Sequence, residues 1–405
     1  MSNMNKINKS IEKILSYLPN YKKNIYIYKI LFYVLFILIV SMLCNCVITC
    51  KELFNLHSNN KNDTKNDTKN DTKNDSKNDS KNDSKNVEIM KRPFLNIYDD
   101  KGKAINVVFV THPFSRDECI EQYNEATKKN VYFLGMSSYC EFPGLISNPH
   151  DILSDPKHKC WTYDYFKLCK GWCHCFRDPS VYIPNNHPKV LLSESDFAKF
   201  KKHIPDPNVK KEYDFMYVCL KDNDKCEEGW QSYNRNWEQA EKCLDIMCNK
   251  FKLKGLLIGR INCKIPGSCH QLMETTDFLD YSVFIKKYNQ CRFVFVPNKL
   301  DASPRVMTEA ICFNLPVLGN YNITGGWKYV TNEVGELFNE KEGDFEEVLT
   351  RFMKNFNQYK PREFYMREYQ EANRGKELLD FVVETIGEKN LNFKSSDVKY
   401  LVPGI

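Results

Sequence analysis

The chain has 405 residues, room for two ordinary α/β domains plus extra segments, and with 42% hydrophobic residues it can bury a sizeable core, which excludes wholesale disorder. Its 58 Lys+Arg against 52 Asp+Glu leave a net charge of +6, too mild to mark a nucleic-acid binder. Seventeen cysteines are too few at this length for a small secreted disulfide scaffold.

The first element in chain order is apolar. Residues 30–48 read ILFYVLFILIVSMLCNCVI, long enough and uncharged enough to cross a hydrocarbon core as a helix. Lys6, Lys9, Lys13, Lys22, Lys23 and Lys29 precede it against the single acid Glu12, so most of the excess charge lies in residues 1–29. By the positive-inside bias that tail is cytoplasmic. The long basic flank favours an uncleaved signal anchor over a cleaved signal peptide. The expectation is a single-pass type II membrane protein, the region after the span luminal (Golgi or ER-like) or on a membrane surface. Residues 49–87 follow as a stalk, in which residues 61–84 repeat Lys-Asn-Asp-Thr three times and then Lys-Asn-Asp-Ser three times with no apolar residue to bury. Asn62, Asn66, Asn70, Asn74, Asn78 and Asn82 each begin a sequon. They read either as glycan acceptors or as an unmodified low-complexity expansion.

About 319 residues remain. Ala104–Val110 reads as a strand, the polar stretch to about Lys129 as a helix and Val131–Leu134 as a second strand, the opening of a parallel sheet. Lys189–Ser193 reads as a further buried strand, and Pro205-Asp-Pro207 punctuates the chain, so 88–207 is assigned to a first domain and 208–405 to a second. The second half repeats the grammar: strands at Asp214–Leu220, Lys254–Arg260, Arg292–Val296 and Leu315–Leu318, with helices at Asn236 to about Phe251, Phe278–Asn289 and Val306–Asn314. Strands alternating with helices imply βαβ units, whose ligands bind beyond the carboxyl ends of the strands.

Residues 298–318 carry the most chemistry. Asp301 falls in a loop after a buried strand, and Glu309 lies within a helix starting near Pro304. At that spacing both acids can reach a ligand lying across the helix N-terminus, where free N–H groups and the dipole favour a diphosphate. The alternative is that Asp301 or Ser303 is an N-cap and Glu309 a solvated helix residue.

The run Asp-Ala-Ser-Pro-Arg-Val-Met-Thr-Glu-Ala-Ile-Cys-Phe-Asn-Leu-Pro-Val-Leu, followed by Gly325-Gly326 and Val334-Gly335-Glu-Leu-Phe338, resembles the C-terminal half of the group 1 glycosyltransferases of the GT-B fold. Lys254 to Arg260 and Asp277 through Pro297 are similar to units that precede that motif. The resemblance covers about residues 214–340. It implies two Rossmann-like α/β domains facing a cleft, and transfer of a sugar from a nucleotide-diphosphate sugar to a glycan, protein or lipid acceptor, with retention and without a metal or other cofactor. Residue by residue it implies that Glu309 binds the donor ribose and Asp301 faces the donor sugar. Arg260 would supply charge to the diphosphate, with Lys221 or Lys264 as helpers and Ser303, Arg305, Gly325 and Gly326 around the donor. Two departures stand out: the first acid is usually Glu, and the usual Gly before Pro-Val is replaced in Asn314-Leu-Pro-Val. They keep a second reading open, a catalytically degenerate nucleotide-sugar-binding or structural membrane protein.

Other signals compete. Asp222-Asn-Asp224 imitates a cation-holding Asp-x-Asp and is read as a solvated turn. Cys160, Cys169, Cys173 and Cys175 cluster with His158 and His174, where disulfides and free buried thiols are equal readings and zinc comes third. In the first domain, the loops after the strands offer His112 as a catalytic candidate and Ser115, Glu194 and Asp196 on the acceptor side.

Overall fold

The computed structural model describes residues 89–198 and 201–404. The basic tail, the apolar run 30–48 and the stalk lie outside the described residues. Among the described residues, no helix is long and apolar enough to cross a membrane.

Two six-stranded sheets organise the molecule. The first has the order β12-β1-β2-β3-β4-β5, built from β1 (Phe94–Asp99), β2 (Ala104–Val110), β3 (Tyr132–Met136), β4 (Trp172–Cys173), β5 (Lys189–Val190) and β12 (Leu401–Pro403). β2 to β5 run parallel in sequence order, while β1 pairs antiparallel with both β2 and β12. β2 is buried along nearly its whole length, as the continuous run Ile-Asn-Val-Val-Phe-Val requires of a strand covered on both faces. Helix α1 (Asp117–Lys128) forms the crossover to β3. The expected strand at Lys189–Ser193 is cut to two residues. Ser193 accepts from the backbone of Asp196 while the Asp196 carboxylate takes the Ser193 N–H, and this capping box starts a 3-10 turn over Glu194–Phe197.

The second sheet has the order β11-β10-β9-β6-β7-β8, all parallel: β6 (Tyr213–Val218), β7 (Gly255–Ile258), β8 (Met273–Thr276), β9 (Cys291–Val296), β10 (Val317–Asn320) and β11 (Gly335–Phe338). Its helices are α2 (Trp230–Asn234), α3 (Trp237–Asn249), α4 (Tyr281–Gln290), α5 (Arg305–Cys312), α6 (Phe345–Lys354) and α7 (Pro361–Glu368). In α6, Phe345, Val348, Leu349 and Phe352 fall at the spacing of one helix face and enter the core beside Phe295 and Phe338.

The tail divides the second span. Helix α8 (Glu371–Ile386) lays Leu378, Leu379, Phe381, Val382 and Ile386 against Ile105, Val107 and Phe109 of the first sheet, and β12 then joins the edge of β1. Residues from about 371 onward therefore belong to the first core, although 208–405 was expected to be one domain. The reason is apolar area: α8 buries its stripe on a sheet face the first domain's own helices leave uncovered.

Candidate functional site at the facing sheet edges

In the second sheet the strand order reverses between β6 and β9, the crevice where open α/β sheets bind ligands. The loops leaving these carboxyl ends meet the corresponding loops of the first sheet. Asn148 donates to Asn234 Oδ1 at 2.9 Å, Trp230 Nε1 donates to Asp151 at 2.9 Å, and Trp327 Nε1 donates to the Cys175 carbonyl at 2.8 Å. Leu300 and Ala302, from the loop after β9, pack into the apolar core of the first domain. The two domains thus meet edge to edge, carboxyl ends inward.

Arg260 follows β7 and is 1% exposed. Its guanidinium lies 4.1 Å from the Trp237 ring centroid, and Nη1 donates to Ser232 Oγ at 3.0 Å and to the Leu220 carbonyl at 3.3 Å, while Nε is buried with no hydrogen-bond partner. Arg260 lines a cavity of about 590 Å³ with the cations Lys225 and Lys264 and with the acids Asp224, Glu228, Glu238 and Glu241. Four acids against three cations leave this wall without a positive excess, so Arg260 and Lys264 are its candidate anion contacts rather than parts of a basic patch. Lys221 contributes differently: its ammonium goes to Asp224 at 3.1 Å. Asp222 is no solvated turn residue. Its carboxylate accepts from Gln231 N–H at 2.6 Å and Ser232 N–H at 2.9 Å, holding the first turn of α2, whereas the Asp224 side chain is 98% exposed. Two disulfides, Cys226–Cys263 and Cys248–Cys269, were not foreseen; the first joins the loops after β6 and β7 and lines the same cavity.

Asp301 and Glu309 sit where the spacing put them, in the loop after β9 and inside α5. Neither Asp301 nor Ser303 caps α5, whose N-cap is Pro304, and Glu309 is buried rather than solvated. Each acid is already engaged. Asp301 pairs with Arg235 and accepts from Asn298 Nδ2 at 2.9 Å. Glu309 accepts from Tyr281 OH at 3.0 Å and Tyr288 OH at 2.9 Å, and burial pushes its carboxyl above the usual range despite these bonds. Tyr281 OH also lies 3.0 Å from His203 Nε2, in the segment joining the domains. Sequence reasoning missed Arg235, Tyr281 and Tyr288. The two tyrosines are seven residues apart on one helix face, a signal that was legible; Arg235 just after α2 carried none. Arg305 is exposed on the first turn of α5.

The Gly-Gly loop is structural. A Cβ at Gly325 would meet the Ala302 carbonyl at 1.9 Å, and Gly326 adopts φ +82 with Pro304 2.3 Å from where a Cβ would stand. The Gly325 N–H donates to the Asp301 carbonyl at 2.9 Å, so it is not spare for a phosphate. The same loop fixes the first domain. Lys328 Nζ and Tyr329 OH each donate to Asp196 at 2.7 Å, and Ser303 Oγ accepts from Ser195 N–H at 2.9 Å. Asp196, expected on the acceptor side, is 0% exposed and ties the domains together.

Glu194, next in the same turn, is 7% exposed, with Oε2 3.8 Å from Arg92 Nη2 and Oε1 buried without a hydrogen-bond partner. His112 follows β2; its Nδ1 lies 2.8 Å from Thr111 Oγ1, and burial, then the Arg92 charge, lower its pKa to about 4, so it is neutral at pH 7. Ser115 is exposed in the same loop. The cysteine cluster resolves into free buried thiols at Cys160, Cys169, Cys173 and Cys175. His158 accepts from Cys160 N–H at 3.2 Å, and His174 stacks on Phe176 with its pKa lowered to about 4 by burial and by Lys328 and Lys189. Among the described residues no group of His, Cys, Asp and Glu is arranged to hold a metal.

No family model and no curated protein matches the chain. Solved structures similar to it include the S. aureus protein TarM (13% identity, TM-score 0.49, 68% of this chain and 54% of that one). The lipopolysaccharide outer core galactosyltransferase WaaB is similar at 12% identity and TM-score 0.47, over 69% of this chain and 75% of that one. Sucrose-phosphate synthase from Thermosynechococcus elongatus is similar at 10% identity and TM-score 0.42, over 62% and 66%. The chain spans about half the length of TarM.

Proposed function

We propose that this chain is a glycosyltransferase of GT-B architecture that moves a sugar from a nucleotide-diphosphate sugar to a glycan, protein or lipid acceptor. One observation carries the reading: the acid-x7-acid run folds as loop then helix at the edge where the sheet reverses its strand order, and Arg260 and Lys264 line a cavity at the same edge. In this reading Glu309 receives the ribose and Arg260 with Lys264 balances charge on the diphosphate. As the bond from the anomeric carbon to the phosphate oxygen breaks, its electron pair leaves with the diphosphate and these cations stabilise it. The acceptor oxygen bonds to the anomeric carbon on the same face, and its proton leaves to the departing phosphate. Closed edges exclude water, the competing acceptor.

Calorimetry with UDP, GDP and ADP tests the binding step, and screening sugar nucleotides in EDTA tests transfer and its independence of metal. Anomeric NMR of the product tests retention. Glu309→Ala should abolish transfer while the protein stays folded, and Arg260→Met should weaken nucleotide binding by about 10-fold or more. Wild-type turnover in the Glu309 variant, or failure of the wild type to bind any nucleoside diphosphate, overturns the assignment.

A second reading, sugar-nucleotide binding without transfer, is favoured by the Arg235–Asp301 pair, which neutralises the acid expected to face the donor sugar. Nucleotide-sugar binding with neither transfer nor donor hydrolysis would select it. We further propose that residues 30–48 anchor the chain with residues 88–405 in a lumen. The two disulfides, which form in oxidising compartments, support this placement. Protease added to sealed membranes should spare the folded region; its removal would put that region on the cytoplasmic side.

A further inference from the structure

Glu309 has two partners of unequal standing. It is 6% exposed, and each of its oxygens takes one tyrosine hydroxyl from α4: Tyr281 at Oε1, 3.0 Å away, and Tyr288 at Oε2, 2.9 Å away. Burial raises its carboxyl above the usual range, and the two hydroxyls pull it back by favouring the charged form. Each buried oxygen therefore needs a donor whether or not a ligand is bound.

The two tyrosines differ in how firmly they are held. Tyr288 is fully buried, stacked on Phe313 with ring centroids 5.2 Å apart and edge-on to Phe284 at 5.3 Å, and its hydroxyl also reaches the Val306 carbonyl at 3.3 Å. Tyr281 opens α4 and is 57% exposed, its ring meeting only the outer rings of His203 at 6.5 Å and Phe284 at 6.4 Å. Exposed side chains change rotamer readily, whereas a ring in a packed core is locked by its neighbours. Of the two partners of Glu309, only Tyr281 opens on solvent, so the way to Oε1 leads through the place of its hydroxyl. That hydroxyl stands between Glu309 Oε1 and His203 Nε2, 3.0 Å from each. A phenol has one proton; given to the carboxylate, it leaves the phenol oxygen to accept from the His203 N–H.

We propose that the Tyr281 hydroxyl is a placeholder for the donor ribose: it occupies Oε1 in the empty site, and a ribose hydroxyl takes over its hydrogen bond when the nucleotide binds, while Tyr288 stays on Oε2. This rests on the donor reading, which gives Glu309 the ribose. The exchange trades one hydroxyl donor for another, so no proton is transferred and the carboxylate is never bare. Tyr281 is thus a specificity residue. A ligand that lacks ribose hydroxyls cannot restore the bond it displaces, and gains nothing by turning the ring out.

The test is calorimetry on the full chain with UDP, GDP and ADP and with the 2′,3′-dideoxy form of whichever binds. The wild type should bind the ribonucleotide about 10-fold more tightly than its dideoxy form. Tyr281→Phe keeps the ring and removes the competing hydroxyl; it should tighten the ribonucleotide about 5-fold and leave the dideoxy form unchanged. A tyrosine that only supported the fold would weaken both when replaced. Tyr288→Phe bares an oxygen with no way in from solvent and should tighten neither. Unchanged or weaker ribonucleotide binding in Tyr281→Phe, or equal tightening in the two variants, overturns the placeholder and leaves the donor reading standing. Failure of the wild type to bind any of the three nucleotides, or equal binding of ribose and dideoxyribose forms, overturns the ribose role of Glu309 and the placeholder with it.

Discussion

The two facing edges hold charge in opposite ways. The second sheet presents charges in bonded sets: Asp301 with Arg235, Glu309 between Tyr281 and Tyr288, and Arg260 stacked on Trp237. The first sheet presents groups that burial has neutralised or left idle: His112 and His174 with pKa lowered to about 4, and Glu194 with a bare Oε1. Asp151, which accepts from Trp230, and above all Asp196 depart from the pattern, because they take partners from the other domain. The difference teaches that a charge buried at a sheet edge is tolerated when partners are built around it, and is otherwise removed by neutralising the group.

The largest expected effect concerns Asp196. Lys328→Met leaves Asp196 buried without the lysine's charge, held by Tyr329 OH and the Ser193 N–H, and urea unfolding should report a loss of about 3 kcal/mol. If the loss is below 1 kcal/mol, the domains are not held by this pair. Next comes Arg235→Met, which strips Asp301 of its cation at a partly exposed position and should cost about 2 kcal/mol; adding Asp301→Asn should restore most of it.

The first edge responds to pH instead. Both histidines titrate near 6.5 when unfolded and about 4 when folded, so the unfolded chain binds more protons between those values and stability falls as pH drops. Urea titrations at pH 7 and pH 5 should differ by about 1–2 kcal/mol for each histidine, and His112→Gln should remove its share. A flat profile would erase the contrast between the edges.

The smallest effect separates the two disulfides. Cys226 and Cys263 are partly exposed on the cavity wall, whereas Cys248 and Cys269 are buried under α3. Dithiothreitol should open the first pair before the second, seen by alkylation and mass spectrometry, and raise the dissociation constant for UDP about 3-fold. Alkylation of Cys248 first would show that solvent access does not order them.

Much of the fold was legible because parallel strands are continuous apolar runs bounded by turn residues. The runs 104–110, 214–220 and 292–296 could be nothing else, and the acid spacing at 301 and 309 located the edge. β4 was hidden among the aromatic and cysteine residues around Trp172, since two residues carry no periodicity. The cavity cation Arg260 was singled out only through the family resemblance; its unfilled Nε was not legible at all.

What sequence alone determined is local: strand and helix periods, the glycines at 325 and 326, and the order of loops along the chain. Tertiary structure alone decided who partners whom. Arg235 reaches Asp301 across 66 residues, Lys328 reaches Asp196 across 132, and the tail returns to β1 across some 300. Such pairings follow from where packing brings chain ends together, and a period of two or of 3.6 residues holds no record of them.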